Sequence, residues 1–351
     1  MPRIDSFLRL VVDQNASDLH LRAGHVPVVR HCGELHRLAF RELSQEEAFR
    51  LLDEIITPEQ KAALSQAQEI DFAYELGDLA RFRAHAFAHA SGIGAVFRVI
   101  PTKIPTLDEL GLPRAIRNLA RETKGLVLVT GPTGSGKSTT MAALVREMNE
   151  TSSRHIITLE DPIEFLHENI QSFVTQRQIG LHAQSFAAAM RSALREAPDV
   201  LVVGEMRDLE TIGLALSAAE TGVLVIATLH TRSTPRAIDR IVDTFDEAVR
   251  DQVRSTLSVV LRGAIAQHLC RGRGGESRHA AIEILLHNYA VAHMIRDNKI
   301  HHLEGYLQNP EHKETGMQSM TTAVQTLMYQ GLITPEEAAF SLSTVEGRQG
   351  E

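Results

Sequence analysis

The sequence predicts an α/β protein: a small α+β unit leads into a mostly parallel sheet covered by helices on both faces. Three observations carry that expectation. Residues 131–138 read Gly-Pro-Thr-Gly-Ser-Gly-Lys-Ser, a complete G-x-x-x-x-G-K-[ST] loop set between an apolar β-rich run and a helical segment. Apolar β-rich runs and helical patterns then alternate as far as residue 229, the sequence form of a parallel sheet with crossover helices. The first hundred residues lack that alternation and instead gather their β-rich runs together.

In chain order, Ile4 to Val12 has helical spacing and Asp18 to Arg30 alternates as extended chain. Ser44-Gln45-Glu46-Glu47 is a capping-box pattern opening a helix through Ile56, and Thr57-Pro58-Glu59-Gln60 opens another with proline at its first position. Leu79–Phe87 and Gly94–Ile100 read as strands. Pro101-Thr102-Lys103-Ile104-Pro105 is the linker, because its two prolines exclude a helix or a central strand. Beyond it, the strands are Leu126–Thr130, His155–Leu159, Val200–Val203 and Val223–Leu229. The helices between them are Ser138–Asn149, Phe186–Glu196 and Leu209–Glu220. Asp246 to His268 reads as one long helical stretch. Ala280–Leu286 is a further β segment among helices at Tyr289–Arg296, Gln318–Gln330 and Thr334–Ser341. The expected division is 1–100, a linker at 101–110, a nucleotide-binding core at 111–275 and a mostly helical region at 276–351.

Composition narrows the function. The 351 residues are 43% hydrophobic and 23% charged, ordinary for globular domains. No apolar run is long enough to span a bilayer and the start lacks a signal-peptide pattern, so a cytoplasmic protein without a transmembrane segment is expected. Cys32 and Cys270 stand alone, which indicates neither a disulfide framework nor a zinc site. The net charge of −8 argues against a nucleic-acid partner. His85, His89, His301 and His302 read as polar surface residues rather than metal ligands.

The chemistry is expected at strand ends. Backbone N–H groups of Gly131, Pro132-Thr133-Gly134, Ser135, Gly136 and the start of the following helix cradle phosphates; proline alone contributes no N–H. Lys137, read as a surface lysine, reaches the β/γ-phosphates of ATP, Ser138 binds Mg²⁺, and Thr139 continues the loop. Glu160, Asp161 and Glu164 place three carboxylates where they can serve Mg²⁺ or an attacking water. Glu205, after Val200–Val203, takes the place of the acidic residue that holds the Mg²⁺ shell in P-loop NTPases. His230 ends the next apolar strand. In the first hundred residues, strand alternation puts Arg81, Arg83 and His85 on one face, with Arg98 on a neighbouring strand. These arginines are equally a solvated basic face or groups that meet the γ-phosphate.

The set Gly131–Thr140, Ile157–Phe165, Gly204–Ile212 and Thr228–Asp243 resembles the secretion and type IV pilus ATPases. Ala16-Ser17-Asp18-Leu19-His20-Leu21, Gly316-Met317-Gln318 and the overall length are similar to the retraction branch of that family. The resemblance implies a PAS-like N-terminal domain, a RecA-like ATPase core and a homohexameric motor that retracts a pilus by extracting pilin. It also implies an inner-membrane platform partner, and with it a location peripheral to the inner face of the membrane; a second pilus ATPase is a further implied partner. By the same resemblance Glu164 orients the lytic water, Glu205 is the Walker B glutamate, and His230 with Arg240 senses nucleotide state. Arg81, Arg83 and Arg98 are the arginines shown to nucleotide at domain and subunit junctions. The Cys₄ loop and longer N-terminus of the assembly ATPases are missing, which favours retraction. The stretch Ala290–Asp297 keeps the apolar spacing and second arginine of the family's Ala-Ile-Arg-Asn-Leu-Ile-Arg-Glu segment but lacks its first arginine and asparagine. An accessory pilus ATPase, a RecA-like DNA motor and a non-hydrolysing nucleotide regulator are the alternatives.

Overall fold

The computed structural model describes residues 2–31, 33–77, 79–100, 103–275, 277–309 and 315–346. Cys32 and the Pro101-Thr102 part of the predicted linker lie outside them. Two compact units divide the chain at Lys103–Ile104.

The first unit is an antiparallel six-stranded sheet with helices on one face. Its elements are α1 (Ile4–Asp13), β1 (Asp18–Arg22), β2 (Val28–His31), β3 (Glu34–Arg37), α2 (Gln45–Asp53), α3 (Pro58–Ala67), β4 (Glu69–Leu76), β5 (Ala80–His89) and β6 (Gly92–Ile100), in sheet order β3-β2-β1-β6-β5-β4. The predicted capping box forms at Ser44, whose Oγ accepts from Glu47 N at 3.2 Å, and the helix read from Thr57 opens with a second one, Thr57 Oγ1 accepting from Gln60 N at 3.2 Å. Helix α2 stops at Asp53, short of the expected Ile56. Strand alternation sorts the sheet into an apolar face, where Leu19, Phe82, Ala84 and Phe97 meet Ile4, Leu8 and Leu52, and an opposite face carrying Arg81, Arg83, His85 and Arg98.

The second unit holds α4 (Arg114–Ala120), β7 (Gly125–Thr130), α5 (Lys137–Thr151), β8 (His155–Glu160), β9 (Phe173–Gln178), α6 (Phe186–Ala193), β10 (Val200–Val203), α7 (Leu209–Glu220), β11 (Leu224–Leu229) and α8 (Thr234–Asp243). It continues with α9 (Arg250–Val260), β12 (Leu261–Arg271), β13 (Arg278–Leu286), α10 (Tyr289–Arg296), α11 (Leu303–Leu307), α12 (Met320–Tyr329) and α13 (Pro335–Glu346). The sheet order is β13-β12-β7-β11-β10-β8-β9, parallel throughout except for the antiparallel edge strand β13. Leu128, Leu159, Val203 and Ala227 point to one apolar layer with α6 to α11; Val127, Val129, Val202 and Ile226 point to another, built on α4 and α5. Burial on both faces explains why these strands are almost wholly apolar.

A larger expectation fails in this unit. The stretch Asp246–His268 is not one helix: α9 ends at Val260, and Leu261 turns to extended backbone (φ −61°, ψ 125°) to begin β12. Strand β12 fills the slot between β7 and β13, where the sheet offers it two hydrogen-bonding neighbours. The segment Gly316-Met317-Gln318 extends that edge, with Gln318 exchanging backbone bonds of 2.9 and 3.1 Å with Ile284.

Candidate nucleotide site

Four parallel neighbours, β7, β11, β10 and β8, deliver their carboxyl ends side by side, and each carries one predicted group. The 131–138 loop leaves β7 at Thr130. Gly131, Gly134 and Gly136 all take positive φ (148°, 79° and 88°), which side-chain-bearing residues rarely adopt. A Cβ on Gly131 would also fall 2.4 Å from the carbonyl of Gln267, and one on Gly136 2.7 Å from the Gln267 amide. Gln267, in β12, is therefore the floor of the loop. It is buried and accepts 2.7 Å from Thr140 Oγ1 in α5.

Lys137 is only 8% exposed, not the surface lysine expected, and its Nζ donates to the carbonyls of Gly131 (2.8 Å) and Pro132 (3.0 Å). Burial lowers its pKa, while the charges of Glu205 and Glu164 oppose that shift. Pro132, Thr133, Gly134 and Ser138 are exposed, Thr139 is half-buried, and Ser135 Oγ is buried with no hydrogen-bond partner among the described residues.

Glu205 follows β10 and is paired twice, with Arg207 at 2.6 Å and His230 Nε2 at 3.1 Å. Partial burial pushes its pKa up, but the Arg207 and His230 contacts outweigh it and hold the carboxyl below the usual range. Glu205 is thus ionised at neutral pH. Its position depends on Gly204, where a Cβ would meet Leu159 O at 3.0 Å. His230 is placed by Thr130, whose Oγ1 accepts 2.9 Å from Thr231 N across β7 and β11.

Glu160, the first of the three carboxylates after Leu159, is held by hydrogen bonds. Its Oε1 accepts from Thr158 Oγ1 (2.6 Å) and Gln176 Nε2 (3.0 Å), and the backbone of Glu164 also donates to this side chain. Burial raises its pKa against those bonds. It fixes the loop that carries Glu164, which is half-buried and acts electrostatically on Lys137.

The model of the type II/IV secretion system protein family matches residues 1–331. The chain belongs to that family. This secretion-family ATPase is 46% identical to a twitching motility protein of Neisseria gonorrhoeae, over 95% of this chain and 88% of the relative. It is 44% identical to the type IV pilus retractation ATPase PilT of Pseudomonas aeruginosa, over 95% and 96%. The crystal structure of the pilus retraction motor PilT with bound ADP superposes with a TM-score of 0.89 at 42% identity, covering 96% of each chain.

The remaining candidates in this family member belong to other elements. Arg240 is exposed in the last turn of α8 and forms no ion pair among the described residues. In the first unit, Arg98 sits opposite Arg83 in the register and bonds the buried Asp18 at 2.8 Å; among the described residues, the acidic partners of Arg83 and Arg81 are Asp71 and Glu75, each 3.9 Å away. The Nε and Nη1 atoms of Arg81 are buried without a hydrogen-bond partner among the described residues. Sequence reasoning missed Gln267, Thr130 and Thr158. Gln267 was hidden by the misread helix, whereas Thr130 is the polar residue that closes the apolar strand β7, a usable signal; Thr158 lies inside β8 between Ile157 and Leu159 and had none.

Proposed function

We propose that this ATPase is the subunit of a homohexamer that retracts a type IV pilus by extracting pilin, working at the inner face of the cell membrane against a platform protein, alone or beside a second pilus ATPase. The observation that supports it is the row of Lys137, Glu205, His230 and Glu164 on adjacent parallel strand ends, in a chain similar over 95% of its length to a protein named as a pilus retractation ATPase.

The loop N–H groups of Gly131 and Thr133–Thr139 take the phosphates of ATP, and Lys137 exchanges its carbonyl partners for β/γ oxygens. No group of three His, Cys, Asp or Glu side chains among the described residues forms a protein-only metal cage, which suits Mg²⁺, an ion held mainly by phosphates and water. The exposed Ser138 hydroxyl and the ionised Glu205 fit it, with Glu160 supporting from behind. Bound there, Mg²⁺ neutralises charge that develops on the transferred phosphate. Glu164 orients the attacking water. His230 reads nucleotide state through its contact with Glu205, with Arg240 as its partner in the assembled ring. Arg81 and Arg83 stabilise transferring charge there and Arg98 binds nucleotide, each on its own or a neighbouring subunit.

Glu164→Gln and Glu205→Gln separate these roles. Glu164→Gln should keep ATP affinity within a few-fold and lose most of kcat, about a hundredfold, because it removes a transition-state contact rather than uniform binding. Glu205→Gln should raise the Mg²⁺ concentration needed for half-maximal turnover. Phosphate-release kinetics across an Mg²⁺ titration decide it; the opposite pattern exchanges the two assignments.

A further inference from the structure

Glu283 takes no part in the nucleotide chemistry, yet it is a carboxylate only 6% exposed in the middle of β13, with no cation beside it among the described residues. Its partners are helix starts. Oε1 accepts from Thr234 N (2.7 Å) and Thr234 Oγ1 (2.9 Å), and Oε2 accepts from Met320 N (3.3 Å). Thr234 is the first residue of α8 and Met320 the first of α12, so one carboxylate satisfies an otherwise orphaned N–H at each and faces two positive helix ends. Burial raises its pKa and these donors oppose it.

The four residues between β11 and α8 are tied down one after another. His230 contacts Glu205, Thr231 N donates to Thr130 Oγ1 beside the phosphate loop, and Thr231 Oγ1 donates to Ser233 O at 3.3 Å. Arg232 Nη1 donates to Thr344 O of α13 at 3.0 Å. This short loop thus has one end at the nucleotide site and the other held by both C-terminal helices. Those helices form their own apolar layer with the sheet, Met320 and Val324 of α12 and Ala338 of α13 with Ala266, Cys270 and Ala281.

We propose that Glu283 is a positioning residue for ATP turnover, joining the starts of α8 and α12 so that the C-terminal helices set how His230 addresses Glu205. The effect on turnover rests on the role given to His230 above. Movement of α12 and α13 is transmitted through Glu283 and Arg232 to the loop, and from the loop to the carboxylate beside the nucleotide.

The test uses Glu283→Gln in the full chain, a change of equal size that keeps an acceptor for Thr234 and turns an NH₂ toward the Met320 N–H. Expected are a kcat lowered about tenfold with the KM for ATP within about twofold, and no further loss when the substitution is added to His230→Ala. Thr234→Ser, which keeps both donors, should behave as wild type. Amide hydrogen exchange should speed up together at Thr231–Ala237 and at Met320–Val324. A folded Glu283→Gln protein with unchanged kcat overturns the proposal, as does a full additional loss in the His230→Ala background. If His230→Ala itself turns over normally, the histidine assignment fails, and exchange then decides the joint alone: paired loss of protection upholds it and loss at one helix overturns it.

Discussion

His167 shows how a side chain outside the chemistry can set the working range of the molecule. It lies shortly after Glu164, its backbone N–H donates to Gln176 Oε1 at 2.8 Å, and burial pushes its imidazole down to about 4. The unfolded chain titrates such a group near 6.5, so between the two values the unfolded state binds more protons than the folded one. Stability that is fully present above about pH 6.5 is therefore lost as the pH falls toward 4. We expect His167→Gln to flatten that fall, measured as denaturant midpoints at successive pH values; parallel curves for the two proteins would refute it. Lys137 teaches a related lesson. The motif identifies it from sequence, but nothing in eight loop residues shows that the lysine itself is buried against its own loop carbonyls.

At the scale of elements, what was legible depended on whether the environment left a pattern. Helix starts are local, and the capping box at Ser44 and the proline-led start after Thr57 both formed as read. The apolar strands β7, β8, β10 and β11 were legible because short apolar runs sat between helix signals. Strand β12 was not: buried on both faces, it shows no polar alternation, and Leu261, Ile265 and His268 recur at helical spacing as well as helices do. The edge strand β9, with its sequence Phe-Val-Thr-Gln-Arg-Gln, carried too little apolar residue to announce itself. Helix α8 had its signal in the Ser233 cap and Pro235, and went unread. Gly263 now gives the strand a test. A Cβ there would lie 2.8 Å from Leu119 Cδ2 and 3.2 Å from Leu285 O, so Gly263→Ala should cost about 1–3 kcal/mol. Adding Leu119→Ala should destabilise by less than the sum of the two single changes. Denaturant melts measure both, and strict additivity would speak against this contact.

For the whole molecule, the proposed ring makes a prediction of its own. Light scattering should find a hexamer, and Arg83→Ala should slow turnover while nucleotide still binds. Mixing Lys137→Ala with Arg83→Ala subunits should restore part of the activity if a neighbour supplies the arginine. Full activity from a monomer would refute the motor. The site was legible as separate motifs, but their convergence needed the sheet order, which no local pattern encodes. That order also imposes a timetable on synthesis. Thr140 and the Gln267 that floors the phosphate loop are 127 positions apart in the chain. At roughly 5–20 residues per second, the loop leaves the ribosome on the order of ten seconds before its floor exists. Until β12 has been made and inserted beside β7, a nascent chain holds every residue of the nucleotide motif and still has no nucleotide site.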